Sequence, residues 1–200
     1  MANTDAPYGL RPVQYAWGAP YDGRCRAYIA PSTYATALFI GDPVIITGTS
    51  NTTAVRGFPP GVLPEINRAG GTAQLTGVIV GFLPLAGSES TVYGAASTTR
   101  IALVADNPQL LFAIQDDASG TLAVTDVGLN AQIVFTTSGS IYTGLSGAEL
   151  DATTPATTAT FPLRIISLYD TPNNEVGTSA QWLVSANAHT YATGTLGLAV

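Results

Sequence analysis

The sequence has no lysine, one cysteine and one histidine among its 200 residues, and only 10 % of the residues are charged. Without lysine the chain cannot form a Schiff base, attach pyridoxal phosphate or bind phosphate through a P-loop lysine. The lone Cys25 excludes an internal disulfide and a cysteine zinc cluster, and the lone His189 excludes a multi-histidine metal site. These absences remove a large part of enzyme chemistry.

Positive charge is also scarce. Seven arginines stand against thirteen acidic residues, which gives a formal net charge of −6 and a sequence pI near 4.4. A nucleic-acid-binding protein needs a basic surface that displaces counterions, so this composition argues against nucleic acid as a partner.

Long hydrophobic runs are missing too. The longest apolar stretch, residues 77–86, is broken by Gly81 and Pro84, whereas a membrane helix needs about 20 apolar residues. Residues 1–13 lack a basic stretch followed by an apolar one, so no signal peptide is predicted. Because 46 % of the chain is apolar and few residues are charged, we expect it to cover apolar surface in an assembly and not in a membrane.

The abundant residues favour β-structure. The chain has 27 threonines, 21 glycines and 13 prolines; β-branched residues suit strands, and glycine and proline mark turns. We therefore predict an all-β fold with a β-sandwich or barrel-like core, an extended N-terminal arm and little helix, limited to one short piece such as 33–37 or 146–150. Strands are predicted near residues 26–29, 37–39, 43–47, 75–84, 100–105, 111–115, 132–135, 163–169 and 181–188.

The predicted organisation is an arm followed by one domain. Residues 1–25 form the arm, and residues 26–200 form a single β-rich domain with a long loop at 48–73. The arm has three prolines and three glycines, so it cannot be a regular element, yet it carries bulky side chains that a solvated tail would lack. We expect it to lie on a partner or a neighbouring subunit; the alternative is that it packs on its own domain. The candidate contact residues are Tyr8, Leu10, Arg11, Tyr15 and Trp17.

Few residue patterns could support catalysis. Asp116 and Asp117 are adjacent and precede a glycine-containing turn, so we predict a turn role and not a catalytic pair. His189 is interpreted as a structural hydrogen-bonding residue. Two flanking arginines could lower the pKa of Cys25, but without an evident base we predict a small buried or interfacial residue. No catalytic, cofactor-binding or metal-binding residue is predicted, and the chain is not expected to be an enzyme.

Segments along nearly the whole chain, in order, resemble the cement, or decoration, proteins of tailed-bacteriophage heads. The resemblance does not extend to residues 48–73 and 85–99. The segments that carry it are MANTDAPYGLRPV, YATALFIGDPVIITGT, LTGVIVGFLP, NPQLLFAIQDDASGTLAVTDVGLNAQIV, SGAELD and PLRIISLYDTPNNEVGTSAQWLVSANAH.

This resemblance implies a non-enzymatic structural protein on the outer surface of the virion capsid, reached from the host cytoplasm during assembly. It implies two partners: the phage major capsid protein and the chain itself, as a homotrimer that bridges neighbouring capsomers and stabilises the DNA-filled head. No cofactor, nucleic acid or membrane is implied. The alternative is a capsid-surface binding module, such as a head fibre or a lectin-like carbohydrate-binding β domain with aromatic platforms in a concave site.

Overall fold

The computed structural model describes residues 3–192, and β-structure accounts for 39 % of these residues against 2 % helix. The predicted all-β fold is confirmed. Within the described residues the helical structure is one 3-10 turn at Val124–Asp126, and not at 33–37 or 146–150. The strands are β1 (Arg11–Tyr15), β2 (Arg26–Ala30), β3 (Pro43–Ser50), β4 (Pro64–Arg68), β5 (Gly77–Leu83), β6 (Arg100–Ala105), β7 (Leu110–Gln115), β8 (Asn130–Ala131), β9 (Ile133–Phe135), β10 (Ala148–Leu150), β11 (Leu163–Leu168) and β12 (Gln181–Ala186).

Five strands close into a small barrel in the order β2-β4-β3-β5-β6. The β2–β4 pair is parallel and the other pairs are antiparallel. In β6 the neighbouring residues Ile101 and Ala102 belong to two different core clusters and are both fully buried. The apolar residues on both faces of this strand had predicted that it is covered on both sides, and that prediction is confirmed.

A five-stranded antiparallel sheet packs against the barrel, in the order β1-β7-β12-β11-β8. Every residue of β7 is buried. Phe112 of β7 and Trp182 of β12 share one hydrophobic cluster with Val78 of the barrel strand β5. This common core joins the sheet to the barrel, and β9 and β10 form a separate two-stranded ladder beside it.

Residues 3–25 do not form an arm that projects from the domain, so this part of the prediction is wrong. Strand β1 pairs antiparallel with β7, with Arg11 opposite Ala113 and Tyr15 opposite Leu110. It lies at the edge of the sheet and is bulged between Pro12 and Gln14, where proline is tolerated because an edge strand needs fewer ladder donors. The alternative, in which the segment packs on its own domain, is what the structure shows for β1.

The N-terminal segment also crosses the turn before β3 at very close range. Leu10 donates its backbone N–H to the Gly41 oxygen at 2.9 Å. A Cβ added to Gly9 would lie 2.5 Å from that same oxygen, and Gly9 and Gly41 both have positive φ angles. Glycine is therefore required on both sides of the crossing.

The long loop predicted at 48–73 is also wrong. β3 continues to Ser50, and β4 at Pro64–Arg68 is a barrel strand, so only residues 51–63 connect the two. At the strand predicted for residues 37–39 the structure has only an isolated bridge, between Leu38 and Gly94, and a second bridge follows between Ile40 and Leu145. Across residues 3–192, no helix has the length and apolar character needed to cross a membrane.

Candidate functional site

Residues 11–21 of the N-terminal segment form a tight hairpin, called here the N-terminal hairpin. β1 turns back so that Tyr15 donates its N–H to the Ala19 oxygen at 2.8 Å and Tyr21 donates to the Val13 oxygen at 2.9 Å. Gly18, with a φ of 92°, makes the turn possible. The hairpin therefore holds Trp17 at a fixed position on the surface.

Trp17 presents a large aromatic ring to solvent. Its ring stacks on Tyr15 with a centroid distance of 4.6 Å and an angle of 5°, and 64 % of the residue is exposed. The Tyr15 hydroxyl donates to Asp22 at 2.8 Å, which fixes the ring beneath the tryptophan. A cavity of about 350 Å³ opens beside the stack, with the Asp22–Arg24 ion pair and Asn107 in its lining.

The five predicted contact residues do not share one exposed surface. Leu10 is 1 % exposed and Tyr15 is 5 % exposed, and both belong to the core, so the prediction that they contact a partner is wrong. Their apolar bulk is used to attach the N-terminal segment to its own sheet. Arg11 is exposed, and its guanidinium lies 4.3 Å from the ring centroid of the half-buried Tyr8. Trp17 stands apart at the hairpin tip.

Tyr8 is held in place from below. Its hydroxyl donates to Gln181 at 2.9 Å, and burial raises the pKa of Tyr8 to about 12, with Arg11 opposing the shift. The nearby polar groove, of about 360 Å³, is lined by amide side chains. Those amides are used internally: Gln115 binds the backbone of Thr4, and Asn174 binds that of Gln181. The groove therefore anchors the N-terminal segment.

Tyr8 also lines an apolar groove of about 230 Å³. We call it the apolar groove. Its walls come from the N-terminal segment, from β5 and from the segment before β3. Its lining includes Leu10, Arg11, Pro12, Ile40, Val80 and Leu145.

A second exposed aromatic residue, which sequence reasoning missed, lies in the loop between β9 and β10. Tyr142 is 89 % exposed, Ile141 beside it is 53 % exposed, and Val92 from a neighbouring loop is 47 % exposed. We call these three residues the loop knob. One sequence feature could have indicated the loop knob: residues 131–148 and 90–99, which contain it, have no charged residue.

The loop knob is rigidly supported. Gly144 donates its N–H to the Ser140 oxygen at 2.8 Å, and Ser140 donates to the Leu145 oxygen at 2.9 Å. Ile40 donates to the Gly144 oxygen at 2.8 Å, which attaches the loop to the barrel. A Cβ on Gly144 would lie 2.6 Å from the Val92 oxygen, so the two loops pack in direct contact.

Asp116 and Asp117, which were considered for catalysis, are hydrogen-bonded to the surrounding backbone, and Cys25 is half-buried. Asp116 is fully buried and accepts backbone hydrogen bonds from Ser179 and Ala180, and Asp117 caps the next turn through Ser119. Burial raises the pKa of Cys25, so the lowering that its arginine neighbours suggested does not occur. Within residues 3–192, no group of three or more potential metal ligands is present.

His189 lies in the C-terminal segment against the barrel. It is 4 % exposed, and its Nδ1 accepts the backbone N–H of Tyr191 at 3.0 Å. Burial lowers the pKa of His189 to about 4; Asp106 opposes the shift and Arg26 adds to it. The folded protein therefore holds this imidazole in its neutral form.

This burial predicts an acid-sensitive contribution to stability. Between pH 6.5 and 4 the unfolded chain protonates His189 and the folded chain does not, so the free energy of unfolding falls as the pH falls. Between pH 7 and pH 4, we expect the free energy of unfolding to fall by about 2–3 kcal/mol less in His189→Gln than in the wild type. Urea unfolding at both pH values measures it. Asp42, whose pKa burial raises to about 6, acts in the opposite direction but equally in both proteins. Equal pH dependence in the two proteins would contradict the prediction.

A comparison with known proteins found no matching family model, no similar curated protein and no similar solved structure.

Proposed function

We propose that this chain is a structural decoration (cement) protein of a tailed-bacteriophage head, without enzymatic activity. In this proposal it acts as a homotrimer, binds the outer capsid surface formed by the major capsid protein and bridges neighbouring capsomers. The observation that carries the proposal is the pair of exposed aromatic residues, Trp17 and Tyr142, each held at the tip of a hydrogen-bonded turn. A trimer that bridges capsomers needs one surface for the capsid and another for the neighbouring subunit, and these two turns supply two surfaces.

The chemistry of the two turns suits such contacts. Tryptophan and tyrosine bring a large contact area with few rotatable bonds and are enriched among residues that dominate binding energy. Many copies on one shell act together, so each contact can be modest. No charged residue occurs in the two sequence stretches that carry the loop knob, so the contacts of Tyr142 are expected to resist salt.

We assign Trp17 to the capsid contact and expect Trp17→Ala to lower the affinity for undecorated heads at least about tenfold. Loss of the stack on Tyr15 removes only about 0.5–1.5 kcal/mol, so the variant should fold. The measurement is occupancy on heads of the cognate phage prepared without this protein, titrated with the wild type and the variant. Val124→Ala is the matched control, because Val124 is 70 % exposed on a different element. Normal occupancy by folded Trp17→Ala would contradict the assignment.

A saccharide-binding module is the second candidate, and the cavity beside Trp17 favours it. The open ring face can stack on the apolar face of a sugar ring, while Asp22, Arg24 and Asn107 supply polar groups around it. A glycan array probed with the wild type and Trp17→Ala separates the candidates. Glycan binding that Trp17→Ala abolishes, together with unchanged binding to heads, selects the saccharide. Lost binding to heads without any glycan signal selects the capsid.

A further inference from the structure

We infer that the loop knob of one copy of this chain inserts into the apolar groove of a second copy. The occupant of the groove is therefore the chain itself. The inference rests on the self-association part of the proposed function and not on capsid binding, since it applies to the protein free in solution.

The knob has the properties of an interface anchor. Tyr142 and Ile141 project from a loop whose backbone is fixed by hydrogen bonds within the turn and to Ile40, so little conformational entropy is lost when they are buried. At 89 % and 53 % exposure, these two side chains have no partner surface within the described part of the chain that covers them. Burial against an apolar surface is the state that such side chains favour.

The groove has the properties of the matching site. At about 230 Å³ it can admit the end of a large side chain, and its walls include Leu10, Pro12 and Val80. Arg11 stands at its rim with one face of the guanidinium over Tyr8. Arg11 is exposed, and in residues 3–192 no carboxylate forms an ion pair with it, so its guanidinium is available to the ring of an incoming Tyr142.

A second copy is the inferred occupant because the chain itself carries an exposed, uncharged apolar knob and an apolar groove, and charge does not oppose their contact. Each chain carries a net charge of −6, so two identical copies repel each other over most of their surface. The knob carries no charge, and among the residues that line the groove only Arg11 is charged. Two copies can therefore meet on this face without opposing carboxylates.

The positions of knob and groove allow a closed assembly. Leu145 lines the groove and Tyr142 forms the knob, so only two residues separate them and their Cα atoms lie within about 10 Å of each other. When the knob of one copy enters the groove of the next, every copy gives one knob and receives one. A closed ring satisfies all of these contacts without forming a filament, and a trimer is such a ring.

The first experiment compares self-association of the full chain by sedimentation equilibrium. We expect the wild type to associate, and Tyr142→Ser and Arg11→Ala each to raise the dissociation constant at least about tenfold. Both side chains are exposed, so the variants should fold, which thermal unfolding checks. Val124→Ser is the control and should associate normally. A wild-type chain that remains monomeric up to about 100 µM, or unchanged association of Tyr142→Ser, would overturn the inference.

The second experiment tests which surfaces meet. In a Cys25→Ser background, Thr143→Cys places a thiol beside the knob without removing Tyr142, and Val80→Cys places one in the groove. When the two proteins are mixed with a short bismaleimide, cross-links between the Thr143→Cys chain and the Val80→Cys chain are expected. Thr143→Cys mixed with Val124→Cys should give none. Equal cross-linking in both mixtures would overturn the inference, and Trp17→Ala should associate normally whether or not it binds heads.

Discussion

Removal of residues 1–22 is expected to unfold the protein. The deletion removes β1, which pairs with the fully buried β7, and takes Leu10 and Tyr15 out of the core. Loss of two buried side chains of this size costs about 5–10 kcal/mol, which is comparable to the whole stability of a typical domain. The backbone bonds between β1 and β7 are lost as well.

Far-ultraviolet circular dichroism and limited proteolysis of the truncated chain measure this outcome. The control is Trp17→Ala in the full chain, which alters the same hairpin at an exposed position and should retain the fold. A truncated protein with a native spectrum and an unchanged thermal midpoint would show that the N-terminal segment is an appendage after all, and would return Leu10 and Tyr15 to the set of possible partner contacts.

The N-terminal segment illustrates what local sequence patterns can and cannot predict. Its bulky residues correctly indicated that it is not a solvated tail, but the surface on which it lies is its own sheet and not that of a partner. Its prolines and glycines made it look unfit for a sheet. Pro12 is compatible with the sheet because β1 is an edge strand with a bulge at that point. Pairing Arg11 with Ala113 joins residues far apart in the chain, and no local pattern reports such a partner.

Strand prediction succeeded where the hydrophobic pattern was strong. β6, β7 and β12 are runs of apolar residues with clear turn signals, and each was predicted within a few residues. β4 was missed because Pro64–Arg68 contains a proline and two charged residues, and its position in the barrel comes from pairing with β3. Residues 146–150, one of the two candidate helices, contain the strand β10, although Ala148–Leu150 consists mainly of good helix formers.

The candidate site is defined by which aromatic side chains are exposed, and the local sequence does not determine that exposure. Tyr15 and Trp17 are two residues apart and both aromatic, yet one is 5 % and the other 64 % exposed. Tyr142 had no motif to distinguish it from the other tyrosines. What distinguishes it is a loop held by Gly144 and Ile40, and that support is visible only in three dimensions.

The second large effect is expected at Asp116. This carboxylate is fully buried and accepts four hydrogen bonds: from the backbone N–H groups of Ala118 at 3.3 Å, Ser179 at 2.7 Å and Ala180 at 3.2 Å, and from Trp182 Nε1 at 3.1 Å. It therefore joins the end of β7 to the start of β12 inside the core.

Asp116→Ala is expected to lower the free energy of unfolding by about 3–5 kcal/mol, because the substitution leaves these buried donors without an acceptor. Asp116→Asn should also destabilise, since an amide NH₂ would replace one of the two accepting oxygens. Urea unfolding in a Trp17→Phe background measures the effect, because Trp182 is then the only tryptophan and reports its own environment.

Asp117→Ala provides the comparison within the same carboxylate pair. Asp117 is half-buried and accepts bonds from Ser119 and Ala152 at a surface turn, so its removal should cost only about 1 kcal/mol. A large difference between the two variants means that burial and the bond to Trp182, and not the turn itself, determine the contribution of Asp116. Equal losses of stability in the two variants would instead assign both carboxylates the turn role that the sequence predicted. That outcome would contradict the role of Asp116 in joining β7 to β12.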